Sequence, residues 1–313
     1  MARFKRATWE TQWLKLGIAG DTGTGKSMSS ILLALGITDV LGGHVAMVDM
    51  DARRSSEYHG YDFDVDHMSP PYTSAKISEA IKDASREGYT VLILDGMEKE
   101  HQDMLDEKER VQEEKFQAAC EKAKRQNKAE PNFDAYSRIA WGVVKPARKE
   151  LVTTLESASI HLILTFAATE KVDDNFNPRG WIPTTGARIL KALKWLALLK
   201  PGADGRPDWK PEKGERDVVK NPEYLRPAPN LLTREVGARF ARWARGDHLA
   251  QIGPVAADII ARMRKAETMA GFNALGPEIR GQWGTFTAAE QRAIDAQAVK
   301  VTSRLSADEQ ASR

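Results

Sequence analysis

Residues 20–27 read Gly-Asp-Thr-Gly-Thr-Gly-Lys-Ser, a complete G-x-x-x-x-G-K-[ST] pattern. The glycines let successive backbone N–H groups turn inward around phosphate oxygens. In such a loop Lys26 reaches the β and γ oxygens, and the Ser27 hydroxyl ligates Mg²⁺. Gly20, Asp21, Thr22, Gly23, Thr24, Gly25, Lys26 and Ser27 are therefore the candidate phosphate-binding residues. Upstream, Leu14, Leu16 and Ile18 alternate with Lys15, Gly17 and Ala19, which predicts a short strand. Downstream, Met28, Ile31, Leu32 and Leu35 fall at i, i+3, i+4 and i+7, which predicts a helix with Gly36 as its stop. The positive end of that helix adds to the anion site. An ordinary glycine-rich strand–helix turn would leave the adjacent Lys-Ser unexplained.

Outward from the loop, four strands are expected: Leu14–Ala19, Val45–Asp49, Val91–Asp95 and Ile160–Thr165. Nearly continuous apolar runs of this length suit a parallel sheet covered on both faces. Helical periodicity separates them. Ile77, Ala80, Ile81 and Ala84 form one face ending near Gly88, and Ala140, Val143, Val144, Ala147 and Leu151 another. Alternating strands and helices predict an α/β fold with a mostly parallel sheet flanked by helices. Residues 98–135 are heavily charged and read as a solvated helical insertion, with Met97, Met104 and Val111 spaced by seven. Ile189–Leu199 suits a helix or a strand, and Asp204-Gly205 is a turn signal for a hairpin with the Trp209 region. Gly246-Asp247 marks an expected boundary, giving a domain over 1–246 and a small helical C-terminal module over 247–313.

The chain has 313 residues, a net charge of +2, 42% hydrophobic and 29% charged residues, which suits a folded, water-facing protein with a real core. No apolar run reaches the ~18 residues of a membrane span, and no secretory signal is visible, so no membrane partner and a cytoplasmic location are expected. Cys120 is the only cysteine, which excludes an internal disulfide. The six histidines show no metal-ligand spacing, and His161 reads as a core residue.

Hydrolysis needs more than a phosphate loop. Val91-Leu92-Ile93-Leu94-Asp95 is an apolar strand ending in Asp, the Walker B form, so Asp95 is the candidate Mg²⁺ partner. Gly96 follows it where many ATPases have Glu. Two carboxylates remain for orienting water: Asp51, in Val48-Asp49-Met50-Asp51, and Glu98. At this point the sequence resembles RecA-type ATPases, in which the catalytic acid stands two residues after an Asp at the end of the strand before Walker B. That resemblance favours Asp51. Over residues 13–172 the chain is similar to phage-encoded, RecA-like ATP-binding proteins of recombination or replication modules. The segments that carry this are Leu14-Lys-Leu-Gly-Ile-Ala-Gly20, the phosphate loop, Pro70-Pro71-Tyr72-Thr73, Gly88-Tyr-Thr-Val-Leu-Ile-Leu-Asp95, Trp141 and His161-Leu-Ile-Leu-Thr165. The resemblance implies a RecA-like core, ATP and Mg²⁺ as cofactors, homo-oligomers, single-stranded DNA and other phage recombination or replication proteins as partners. The family carries a basic residue just after the fourth strand. Here Ala167 and Ala168 stand there, which leaves Lys171 or the strand-end Thr165 as replacement γ-phosphate sensors.

Other readings are weighed on residues. Partition-type ATPases carry a signature Lys early in the loop, where Asp21 and Thr22 stand. Asn127-Lys128-Ala129-Glu130 approaches a guanine-reading motif but has no strand before it. A P-loop kinase, or an ATP-gated binding module with negligible hydrolysis, stays open. For DNA, Arg234, Arg239, Arg242 and Arg245 accompany Phe240 and Trp243, while Arg188, Lys191 and Lys194 accompany Trp195. The competing reading has these aromatics in the core and the cations in solvent, or at a subunit interface.

Overall fold

The computed structural model describes residues 12–172, 178–210, 219–222, 225–247, 253–286 and 288–311. The chain divides into two compact units, with the break between Ala244 and Arg245.

The first unit is built on a seven-stranded sheet. Its strands are β1 (Lys15–Gly20), β2 (Val45–Asp49), β3 (Asp64–His67), β4 (Val91–Asp95), β5 (His161–Val172), β6 (Pro178–Pro183) and β7 (Trp195–Leu199). The order is β3-β2-β4-β5-β1-β7, every pair along this path is parallel, and β6 pairs with the outer half of β5 in antiparallel fashion. The α/β class is thus observed. β5 lies between β1 and β4, so the phosphate loop and the Walker B strand are separated by one strand. Every residue of β1, β4 and β7 is buried, as two covered faces require.

Helix α1 (Lys26–Leu41) does not stop at Gly36. It is buried nearly all round, with Leu33, Ala34 and Ile37 inaccessible alongside Ile31 and Leu35, so the expected single apolar face is too narrow. Gly36 sits where α1 meets α6 (Arg234–Arg245): a Cβ there would lie 1.8 Å from the Arg234 carbonyl oxygen, and one at Gly237 2.1 Å from that of Leu33. Backbone-to-backbone packing outweighs the ~1 kcal/mol helix cost of glycine.

Helix α2 (Ser74–Arg86) is capped by the Thr73 side chain, which accepts from the Lys76 N–H. The charged segment forms α3 (Glu98–Arg125), packed along α4 (Ser137–Ser157). Met97, Met104 and Val111 are all buried, so the seven-residue spacing marks a seam between two helices. Buried Glu100 accepts from the Ser74 hydroxyl and lies 3.2 Å from Arg148, close enough for charge attraction but without hydrogen-bond alignment. Asn127 adopts φ 51° in the turn after α3, with no strand leading into it, unlike a guanine-reading motif. Ile189–Leu199 resolves into a short helix α5 (Ala187–Ala192) followed by β7. Asp204-Gly205 does turn the chain, but no strand follows among the described residues; Asp208 donates its N–H to Leu198 and Trp209 packs on Trp195.

At the amino end of the sheet, basic groups are buried. Lys15 donates to the carbonyls of Ala158 and Ile160, both at 2.8 Å, just past the C-terminus of α4. Burial and neighbouring Lys194 push its ammonium down to about 7. His161 accepts the Leu14 N–H at Nδ1, and burial, with help from Lys15 and Lys194, pushes its imidazole down to about 4. His161 is thus the core residue its sequence context suggests.

The second unit contains helices Pro254–Lys265, Met269–Asn273, Gly276–Gln282 and Ala288–Ala311 around Ile259, Met263, Ile294, Val301 and Leu305.

Candidate phosphate-binding site

The loop of residues 20–27 joins β1 to α1 at the carboxyl end of the sheet. Gly23 and Gly25 have φ of 77° and 89°, the left-handed conformation that a tight, inward-facing loop needs. The Thr24 hydroxyl donates to the Asp21 carbonyl, and the Thr24 carbonyl accepts from the Gly205 N–H at 3.0 Å. The 204–205 turn therefore backs the loop from the far side. Asp21 turns its carboxylate onto the Thr22 N–H, and Lys26 Nζ donates to the Asp21 carbonyl at 2.7 Å.

Three segments meet Lys26 and Ser27. From β4, Asp95 is 4% exposed and accepts a hydrogen bond from the Thr165 hydroxyl. Burial pushes its carboxyl up, against the lowering influence of the Thr165 and Ser27 hydroxyls. From β5, the Thr165 hydroxyl donates to Asp95 and accepts the Gly96 N–H at 2.9 Å. Thr165, expected as a phosphate sensor, thus spends its hydroxyl on holding Asp95 and the turn after it. From the first turn of α3, Glu98 accepts the Ala167 N–H at 2.9 Å through Oε2, and no hydrogen bond to Oε1 is present among the described residues. Burial lowers the Lys26 ammonium below its usual range; Glu98 opposes this most, followed by Asp95, Asp21 and Asp51.

Asp51 stands differently. Its Oδ1 accepts from Lys99 Nζ at 2.8 Å and its Oδ2 from Arg54 at 3.2 Å. Both oxygens face cations, so this carboxylate is committed in a way that Glu98 is not. The resemblance singles out Asp51, whereas Glu98 is the carboxylate that keeps an oxygen without a hydrogen bond among the described residues. Asp49, the residue two before it, is the anchor of the whole turn. It accepts from the N–H groups of Asp51 and Ser55 and from the Ser55 hydroxyl. Burial works to raise its carboxyl, yet these hydrogen bonds hold it below the usual range.

Lys171 lies four residues beyond Ala167 on an extended strand, ~13 Å along its axis. It pairs in register with Gly180 and is exposed, so it does not stand in for a basic residue at the end of the sheet. Lys99 was not legible as a site residue, because it sits inside a run of charges and meets Asp51 only through the fold.

Of the expected DNA-stacking aromatics, Trp195 and Phe240 are core residues and Trp243 is partly buried. Trp195 and Phe240 are both 0% exposed and pack edge to face at 5.2 Å. Arg234 pairs with Asp39, Arg242 with Glu235 and Arg245 with Asp247. Arg239 lies over the Phe240 ring. Lys194 donates to Gln12, while Arg188 and Lys191 are exposed. Neither segment presents Trp195 or Phe240 to a base.

The donor set suits Mg²⁺. Ser27 and Asp95 offer adjacent hard oxygen ligands, and no cluster of three or more His, Cys, Asp or Glu side chains able to hold a metal exists among the described residues. Mg²⁺ bound through one or two protein oxygens plus phosphates and waters needs no such cage. Among the described residues no helix is long and apolar enough to cross a membrane. A scan against protein-family models finds no match, and no curated protein matches the chain significantly.

Proposed function

We propose that this chain binds ATP with Mg²⁺ on the loop 20–27 and hydrolyses it. One observation carries the reading: Lys26, Ser27, Asp95, Thr165 and Glu98, from separate segments, converge at the carboxyl ends of β1, β4 and β5. Ligands of open parallel sheets bind at that end. Lys26 would hold the β/γ oxygens, Ser27 and Asp95 the Mg²⁺, and Thr165 would position Asp95. The metal would neutralise charge developing on the phosphates. Glu98 is the favoured acid for orienting water, through its uncommitted Oε1. The test is Mg²⁺-dependent binding of a fluorescent ATP analogue, with phosphate release. Lys26→Ala should weaken ATP binding about tenfold or more, because it deletes a charge-assisted contact and no core packing. Wild-type affinity and turnover in the folded variant would sink the proposal.

A RecA-like core, and a role in phage recombination or replication as a homo-oligomer on single-stranded DNA, extend the proposal on the resemblance alone. A salt-titrated single-strand binding assay with a non-hydrolysable analogue tests the DNA part. Binding should weaken with salt by a log–log slope of about −0.7 per phosphate contact. No binding at low salt would remove it.

A second reading is an ATP-gated binding module with little turnover. It is favoured by the two cations on Asp51 and by the commitment of the Thr165 hydroxyl to Asp95. ATP binding without phosphate release would select it.

A further inference from the structure

Where β5 leaves its parallel neighbour β1, at Ala167 and Ala168, it carries no cation, and Lys171 lies further out along the strand. A terminal phosphate gripped by Lys26 would still carry charge on the side facing Asp51 and Glu98. On that side stands Lys99, in the first turn of α3, with its side chain 29% exposed. Its ammonium is fixed from two directions. Asp51 accepts one of its N–H donors at 2.8 Å, and the Tyr72 ring lies 5.9 Å below it. Tyr72 is itself held by its backbone N–H on Asp103, one turn further along α3. Lys26 and Lys99 share Asp51 and Glu98 as electrostatic neighbours. Lysine has three N–H donors, and Asp51 takes one.

We propose that Lys99 contacts the terminal phosphate of bound ATP, with Asp51 and Tyr72 as its seat. Lys99 then supplies, from the Walker B side, the cation that β5 does not carry at Ala167 and Ala168. Asp51 is a positioning residue for it, which accounts for the pairing of its oxygens with cations. The assignment rests on the ATP-binding reading above. It also accounts for the Pro70-Pro71-Tyr72-Thr73 segment, in which Thr73 caps α2 while Tyr72 supports the Lys99 stem.

A contact made only to the γ-phosphate separates ATP from ADP. The experiment measures affinities for a non-hydrolysable ATP analogue and for ADP, with Mg²⁺, in wild type, Lys99→Met and Asp51→Asn. Lys99→Met should weaken the ATP analogue about tenfold or more and leave ADP unchanged. Asp51→Asn should weaken the ATP analogue less, since the lysine remains. If both nucleotides weaken together, or neither does, Lys99 only props the fold and the proposal falls. Should Lys99→Met lose its far-ultraviolet circular dichroism, Lys99→Gln, which keeps the stem and an N–H donor, is read by the same two outcomes. Wild type that binds neither nucleotide overturns the nucleotide reading and this one with it. Wild type that binds both, with Lys99 variants unchanged, overturns this one alone.

Discussion

The two ends of the central sheet bury charge in opposite ways. At the amino end, Lys15 and His161 turn inward and are satisfied by the protein's own backbone: two carbonyls for one, the Leu14 N–H for the other. A cation just past the C-terminus of α4 also meets the negative end of that helix. At the carboxyl end, Asp95 is tied by the Thr165 hydroxyl, yet Lys26, Glu98 and Lys99 keep donor or acceptor capacity that the fold does not consume. One end closes its electrostatics on itself; the other leaves donors and acceptors unspent. Buried charge alone therefore does not mark a site, and the difference lies in what remains unspent.

The comparison can be broken most severely at Glu98. Glu98→Gln should lower turnover by about 10²–10⁴-fold with ATP affinity little changed, since an amide cannot accept a proton from water. Asp51→Asn should cost turnover less, and the reverse order would return the water to Asp51. Next, Asp95→Asn should lower turnover by roughly 10²–10³-fold, the scale of losing one preorganised charge contact at the reacting phosphate. Its melting temperature should hold or rise, because the carboxylate is buried at an energetic cost. A destabilised variant would show Asp95 to be structural.

The amino end answers to pH. His161 binds its proton at about 4 in the folded chain and at 6.5 ordinarily, so the unfolded chain holds more protons between those values. Stability should be full above pH 6.5 and fall by about 3 kcal/mol as the pH drops to 4. Lys15 acts with the same sign higher up, stability rising from about pH 7 towards 10.5. Urea unfolding at several pH values checks both. His161→Asn, which keeps an acceptor for Leu14, should flatten the acid limb, and an unchanged limb would place the titration elsewhere. The smallest effect is expected from Thr165→Val. Losing the hydroxyl between Asp95 and Gly96 should cost ~1–3 kcal/mol in stability and weaken Mg²⁺-dependent binding more than Mg²⁺-free binding. Equal weakening in both would detach Thr165 from the metal side.

The sequence made the phosphate loop and Asp95 legible because each is a local pattern: glycines at fixed offsets, and an apolar strand ending in Asp. Strands β2 and β4 were readable to the residue for the same reason. Strand β3, Asp64-Val-Asp-His67, was not, because an exposed edge strand needs no apolar run. The expected end of β5 at Thr165 marks where its continuous burial ends soon after, although the strand itself runs on to pair with β6. The pairing of Lys99 with Asp51 could not be read at all. The two stand 48 residues apart, and only the fold brings them together. The basic-aromatic segments left two readings open, and the burial of Trp195 and Phe240 matches the one that puts those two rings in the core.

The close pass of Gly36 and Gly237 has a mechanical meaning. With two backbones in direct contact, α1 can neither roll nor slide against α6 without collision. The loop at the head of α1 is also pinned from behind by the Gly205 N–H. The loop of residues 20–27 is thus mounted on a fixed post, like a stator. Any movement at this end of the sheet is left to the opposite wall. That wall is the 51–54 turn, where Ala52 and Arg53 sit at positive φ, and the first turn of α3 facing it.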